Sequence, residues 1–243
     1  MTADRMIDTG WSDSAEAWIR RIDQGESNRE LLLDTVMLEL AGDVAGARVL
    51  DAGCGEGRFC RMLADRGATT IGIDPTPLLT RTAKQRHTTG QYAYALSESL
   101  PLSDDSIDLV VSYIALVDSS DYEGTIREAA RVLRAGGRYL VANLGFVTAS
   151  PELGWARDEQ GQRLYQRIDN YAGEHPHEMN LGDIRVINWH RPLSYYMTAL
   201  LAAGLQLRVF QEPVPPDDSL RDDPRFEDWY RVPLFNVMVW QKP

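Results

Sequence analysis

Between residues 48 and 144 the apolar positions fall into short continuous runs, at 48–51, 69–74, 92–96, 107–113 and 139–144. Such runs are expected of strands buried on both faces. Between the runs the apolar spacing turns helical. Phe59, Met62 and Leu63 share one face, and Ile126, Ala129, Ala130 and Leu133 share another in 122–133. Gly67 stops the first of these helices as a C′ glycine. Pro77 opens a polar helix reaching about residue 87, and Ala135-Gly136-Gly137 turns the chain into the fifth strand. Strand and helix in strict alternation predict right-handed βαβ units and a parallel sheet.

On either side of this core the pattern changes. Trp11, Ala15, Trp18, Ile19 and Ile22 keep helical spacing, and Ser27 with Glu30 forms a capping box. Leu31, Leu32, Met37, Leu38 and Leu40 carry the next helix towards the sheet. From 146 to 189 the βαβ rhythm is lost and aromatic and polar residues dominate. A helix over 193–203 ends at Gly204, and strands follow at 205–210 and 234–240, the latter with alternating Phe235, Val237 and Val239. Between them, 217–228 holds six acids against two arginines and reads as a solvated loop. The expected organisation is one domain: N-terminal helices 1–47, a core 48–144, an insertion 145–192, and a closing helix and two strands 193–243.

Composition narrows the function. The 243 residues are 44% hydrophobic, enough for a packed core, with a net charge of −11 and no basic stripe, against a nucleic-acid partner. The two cysteines, Cys54 and Cys60, suit neither a structural zinc site nor a disulfide framework, so no metal is expected. No run reaches the ~18 apolar residues of a membrane span. Residues 1–10 carry no secretory h-region, so the expected location is cytoplasmic.

The chemistry points to one stretch, Asp51-Ala52-Gly53-Cys54-Gly55-Glu56-Gly57-Arg58. Glycines at alternate positions between a strand and a helix allow tight turns and close approach of a ligand to the backbone. Asp74 ends the second strand, 21 residues after Gly53. That is close to the interval at which an acid meets a ribose diol, whose two hydroxyls both donate to a carboxylate. A dinucleotide loop wants a third small residue where this chain has Arg58, and no phosphate-loop lysine follows. Arg29, in the first turn of its helix, opposes the helix dipole, so it is either solvated or reaches a ligand carboxylate.

These residues resemble motif I of the class I S-adenosylmethionine-dependent methyltransferases, and Asp74 resembles their motif II acid. Leu100-Pro101, Asp108-Leu109-Val110 and 131–137 are similar to the later motifs, in order across 48–144. The similarity extends to 190–194 and 203–205, a pattern of the small-molecule members. The resemblance implies a doubly wound Rossmann-like α/β fold with a seven-stranded sheet, six strands parallel and one antiparallel, and helices on both faces. It implies S-adenosylmethionine as cofactor and S-adenosylhomocysteine as product. On that mapping Gly53, Gly55 and Gly57, with Cys54, pass beside the methionine and ribose portions. Asp51 orders that end, Asp74 with Pro75 holds the ribose side, and Ser97 and Glu98 lie near the adenine. The family's usual aspartate after strand three is replaced by Leu96 and Ser97.

The insertion after strand five stands at the cofactor edge, where a substrate lid is expected. Tyr113, Trp155, Trp189 and His177 are the candidate pocket lining. His190 is the candidate base by its near-neutral pKa, with a capping or core histidine as the alternative. The expected activity is methyl transfer to oxygen or nitrogen of a small molecule, with carbon as a third option. A dinucleotide oxidoreductase and a catalytically silent cofactor-binding protein are the alternatives. The expected partner is the small acceptor alone, with a homodimer as one possible assembly.

Overall fold

A computed structural model describes residues 9–25, 27–150, 154–216 and 226–243. Five strands of the core follow the sequence pattern: β1 (Arg48–Ala52), β2 (Thr69–Asp74), β3 (Gln91–Tyr94), β4 (Ile107–Tyr113) and β5 (Leu133–Leu144). Two late strands, β10 (Gln206–Gln211) and β11 (Phe235–Gln241), complete one sheet in the order β10-β11-β5-β4-β1-β2-β3. β1, β2, β3, β4 and β5 pair parallel, whereas β11 runs antiparallel to both β5 and β10. The sheet therefore has six parallel strands and one antiparallel, as expected. Its order reverses direction beside β1, so the carboxyl ends of β1 and β4 flank the crevice where ligands enter open α/β sheets.

Helices cover both faces. α3 (Asp34–Ala41) and α4 (Arg58–Ala64) pack on one face, where Met37, Val49, Phe59, Leu63, Val111 and Leu140 form a core. α6 (Tyr122–Val132) and α7 (Leu193–Ala202) cover the other, over Leu50, Val110, Ile126, Tyr139, Leu200 and Trp240. α5 (Pro77–Arg86) leans on β2 and β3 and also meets α1 (Trp11–Asp23).

The N-terminal helical region is broken more finely than its periodicity suggests: α2 (Ser27–Leu32) is separated from α3 at Leu33. The C-terminus of α3 is closed by the Arg138 guanidinium, which donates to the Leu40 and Ala41 carbonyls at 2.9 and 2.5 Å. The Ser27 side chain of the expected capping box lies outside the described residues, as does 217–225 of the acidic loop, whose end enters α8 (Glu227–Arg231). Strand β3 stops two residues before the expected end, leaving Ser97 and Glu98 in a turn. β5 starts early, at Leu133 paired with Ile107, and is interrupted at Gly136 before the main ladder begins at Arg138.

The insertion is not irregular. After a 3-10 turn (Phe146–Ala149) it forms two hairpins, β6 (Trp155–Arg157) with β7 (Arg163–Gln166) and β8 (His175–Leu181) with β9 (Ile184–His190). The second packs Ile184 and Val186 against Ala15 and Trp18 of α1 and Leu79 of α5. Among the described residues no helix is long and apolar enough to cross a membrane.

Candidate active site

The glycine loop is fixed by the sheet beneath it. The Gly53 and Cys54 amides both donate to the Ile73 carbonyl at the end of β2, at 2.7 and 3.0 Å. Gly53, at φ +84°, has no room for a Cβ, which would collide with the Ala115 methyl of the loop after β4. Glu56 is buried within the loop, where Arg61 and Arg86 each donate to its Oε2 at 2.8 Å. That pairing offsets the cost of burying its charge and ties loop, α4 and α5 together.

Asp74 is held from both sides: the Gly55 amide donates to Oδ2 at 2.9 Å and the Thr76 amide to Oδ1 at 2.8 Å. Burial still pushes its carboxyl up from the ordinary range. Asp51 has fewer partners. Its Oδ2 lies 3.6 Å from the Cys60 thiol, and its Oδ1 is buried without a hydrogen bond. Burial above all, with Asp74 nearby, pushes its pKa up to about 7.

Both carboxylates face a cavity of about 350 Å³ at the carboxyl edge of the sheet. Gly53, Cys54, Gly55, Pro75, Ser97 and Glu98 line it with them, and so does Arg29. The Arg29 guanidinium lies 4.6 Å over the Trp18 ring and 5.4 Å from that of Tyr113. Its cationic stacking on two aromatic faces is favourable at this partly buried site. Beyond the loop the cavity becomes apolar, walled by Tyr113, Val147, Leu234 and Phe235, with Trp229 from α8. The β8–β9 hairpin adds His177, Met179, Leu181 and Asn188 from one face.

Four expected positions lie elsewhere. Gly57 takes φ +80° at the start of α4, and a Cβ there would come within 2.9 Å of the Ala83 methyl and the Tyr92 hydroxyl. It allows packing of α4 on α5 and β3 and does not face the cavity. Trp155 lies in β6 under the Arg231 guanidinium at 4.4 Å, away from the cavity. Trp189 points to the other face of β9, with Arg191 5.3 Å from its ring. His190 is fully buried, and both ring nitrogens are taken: Nδ1 pairs with the Thr148 hydroxyl at 2.8 Å and Nε2 with the Tyr171 carbonyl at 2.9 Å. It joins β9 to the turn after β5, in the manner of the core histidine that is the alternative to a base.

Tyr113 does line the cavity, but its hydroxyl donates to Asp34 at 2.8 Å, and Asp34 is clamped by both terminal nitrogens of Arg58. The residue at the third dinucleotide position thus serves an ion pair at the start of α4. Asp118 and Asn188 carry no signal of a site in the amino-acid order. They come from the β4 loop and β9, and the Asn188 amide donates to Asp118 Oδ1 at 2.6 Å inside the cavity wall. Only the pairing of distant elements brings them together.

The comparisons with known proteins agree with this geometry. A family model described as a methyltransferase domain matches residues 50–141. An S-adenosylmethionine-dependent methyltransferase structure from Mesorhizobium loti superposes with a TM-score of 0.77 and 26% identity, over 90% of this chain and 99% of that one. Residues 50–141 of the chain form a methyltransferase domain, on the fold of S-adenosylmethionine-dependent methyltransferases. Curated relatives include a malonyl-[acyl-carrier protein] O-methyltransferase of Serratia marcescens, 33% identical over 44% of this chain and 42% of that protein. A demethylmenaquinone methyltransferase of Tropheryma whipplei is 36% identical over 42% of this chain and 44% of its own. The matches thus span less than half the length of these relatives and fall on the shared methyltransferase core.

The residues fit the cofactor of this methyltransferase family. The unpartnered Asp51 Oδ1 is an acceptor awaiting a donor such as an ammonium group, and Asp74, which accepts from the Gly55 and Thr76 amides and the Thr76 side chain, keeps about one of its four lone-pair sites for a ligand hydroxyl. Gly53 leaves the backbone bare where a ligand passes. Among the described residues no group of three histidine, cysteine, aspartate or glutamate side chains is placed to hold a metal ion.

Proposed function

We propose that this chain transfers the methyl group of S-adenosylmethionine to an oxygen or nitrogen atom of a small, largely apolar acceptor. The observation that carries this reading is the continuity of the cavity. One space runs from the glycine loop, with its polar Asp51, Asp74 and Glu98, to an apolar chamber lined by Tyr113, Val147, Leu234 and Phe235. A cofactor and an acceptor thereby share one water-poor enclosure.

When bound, the cofactor supplies a methyl group already activated by its sulfonium charge, so alignment and desolvation are the protein's main tasks. Asp51, Gly53, Cys54, Gly55, Asp74, Pro75, Ser97 and Glu98 would hold the cofactor, and Arg29 brings a cation to the same wall. The insertion 145–192 acts as a lid through β8 and β9, whose inner residues His177, Met179, Leu181 and Asn188 cover the chamber. The adenine side relies on Ser97, Glu98 and backbone groups, since Leu96 stands where the family's aspartate is usual.

Arg58 speaks against a dinucleotide: it is committed to Asp34 where close helix–loop packing over a pyrophosphate is needed. Titration calorimetry with S-adenosylmethionine, S-adenosylhomocysteine and NAD tests the reading. Micromolar binding of the sulfur ligands and none of NAD is expected; tight NAD binding with no response to the sulfur ligands overturns it. A labelled-methyl screen against metabolite extracts then identifies the acceptor.

A further inference from the structure

The loop that follows β4, residues 114–120, contains a feature that cofactor binding leaves unused. Ile114 sits there at φ +59°, a left-handed backbone that β-branched residues rarely adopt. Such strain persists only where the surroundings impose it, and it concentrates at functional sites. The strained residue and the next, Ala115, line the cavity, and Ala115 abuts Gly53 of the cofactor loop. Three residues on, Asp118 presents a carboxylate to the same cavity.

That carboxylate is held by two elements that close over the site. Asn188 of β9 donates to Oδ1 at 2.6 Å, and the Trp11 side chain at the start of α1 also hydrogen-bonds to it. Nearby, the Trp189 amide donates to the Val117 carbonyl at 2.6 Å, fixing β9 against the loop. A carboxylate has about four lone-pair sites, so two donors leave room for a third. The charged groups acting on it are Asp74, across the cofactor loop, and Arg29, from α2. His177 stands opposite Asn188 in the β8–β9 ladder.

We propose that Asp118 is the group that receives the acceptor: it takes a hydrogen bond from the attacking hydroxyl or amine and accepts its proton. The inference rests on the methyltransferase reading and adds a substrate class, an apolar molecule presenting one O–H or N–H donor. In the transfer, the methyl–sulfur bond breaks with its electron pair left on sulfur, and a bond from the acceptor atom to the methyl carbon forms. The acceptor's proton passes to the Asp118 carboxylate. Burial first, and Asp74 to a lesser degree, push the pKa of this carboxyl up to about 7, so its ionised form is a stronger base than an ordinary carboxylate and predominates only above neutral pH.

The test needs no knowledge of the natural acceptor. Protein saturated with S-adenosylhomocysteine is titrated with β-naphthol, β-naphthylamine and β-methylnaphthalene, which share a shape and differ in the donor. Wild-type protein at about pH 8 is expected to bind the two donors at least ~10-fold more tightly than the methyl compound. That preference fades as the pH falls through about 7 and Asp118 gains a proton. Asp118→Asn is expected to reduce the preference to less than ~3-fold while S-adenosylhomocysteine binding stays within ~2-fold. The inference is overturned if the preference survives in Asp118→Asn, if wild type with bound S-adenosylhomocysteine shows none, or if it disappears in His177→Ala instead. Should Asp118→Asn not fold, the wild-type pH dependence decides together with Asp51→Asn: the inference stands if the preference and its pH dependence survive in Asp51→Asn saturated with S-adenosylhomocysteine, and falls if they vanish there. Failure of S-adenosylhomocysteine itself to bind overturns the methyltransferase reading and this inference with it, and calorimetry tells that outcome from the others.

Discussion

Asp51 and Asp118 face one cavity with their carboxyls raised to about 7, chiefly by burial. In the unfolded chain an aspartate loses its proton near pH 4. Between there and about 7 the folded protein binds more protons than the unfolded one. The contribution of these groups is therefore most favourable at the acid end of the window and declines as the pH rises through it. Asp51→Asn removes one of the two charges. Denaturant unfolding should show the variant gaining about 1–3 kcal/mol relative to wild type between about pH 5 and 8. Its affinity for S-adenosylhomocysteine should fall at least ~10-fold, because the carboxylate charge that would pair with the ligand's ammonium group is lost. An unchanged pH slope would mean that Asp51 is not buried as an ionisable group. Gly57 carries a different role from its neighbours. With φ +80° and Ala83 and Tyr92 in the space of a Cβ, Gly57→Ala should cost about 1–3 kcal/mol of stability. Its S-adenosylhomocysteine affinity should stay close to wild type; a large loss of affinity at unchanged stability would return Gly57 to the cofactor wall.

The β8–β9 hairpin shows how an element becomes part of a site. Directly opposed residues point to one face, so His175, His177, Met179 and Leu181 share a side with His190, Asn188, Val186 and Ile184. The far end of that face packs on α1, while His177, Met179 and Asn188 line the cavity. His190 holds the other end, through Thr148 and the Tyr171 carbonyl, with the His175 ring 4.8 Å away. Burial lowers the pKa of His190, which suits a neutral, structural imidazole. His190→Ala removes the hydrogen bonds to the buried Thr148 hydroxyl and to the Tyr171 carbonyl and should cost about 1–3 kcal/mol. Amide hydrogen exchange should quicken across 146–149 and 171–190. The pH profile of methyl transfer should keep its shape. Loss of turnover by ~1,000-fold with unchanged exchange would restore His190 as the base.

At the scale of the whole molecule, the sequence by itself determined the core sheet and the cofactor loop. The runs at 48–51, 69–74 and 107–113 and the helical faces between them are local signals, set by which side of each element is buried. The spacing of Gly53, Gly55 and Asp74 is local too, since it depends only on a strand, a turn and the next strand. The insertion was opaque because its order is cross-strand. Residues 175–190 alternate weakly in polarity, and aromatics scattered along them gave no means of telling the cavity face from the outer one. Register turns Trp189 to the outer face, whereas His190 shares the cavity-side face and is held off the cavity by Thr148 and the Tyr171 carbonyl, and Trp155 lies in the other hairpin. Only the docking of distant elements brings Asp118 and Asn188, 70 positions apart, together at the cavity wall. Their contact requires the loop after β4, the hairpin and α1 to dock at once. Periodicity records which face of an element is buried, but not what it is buried against.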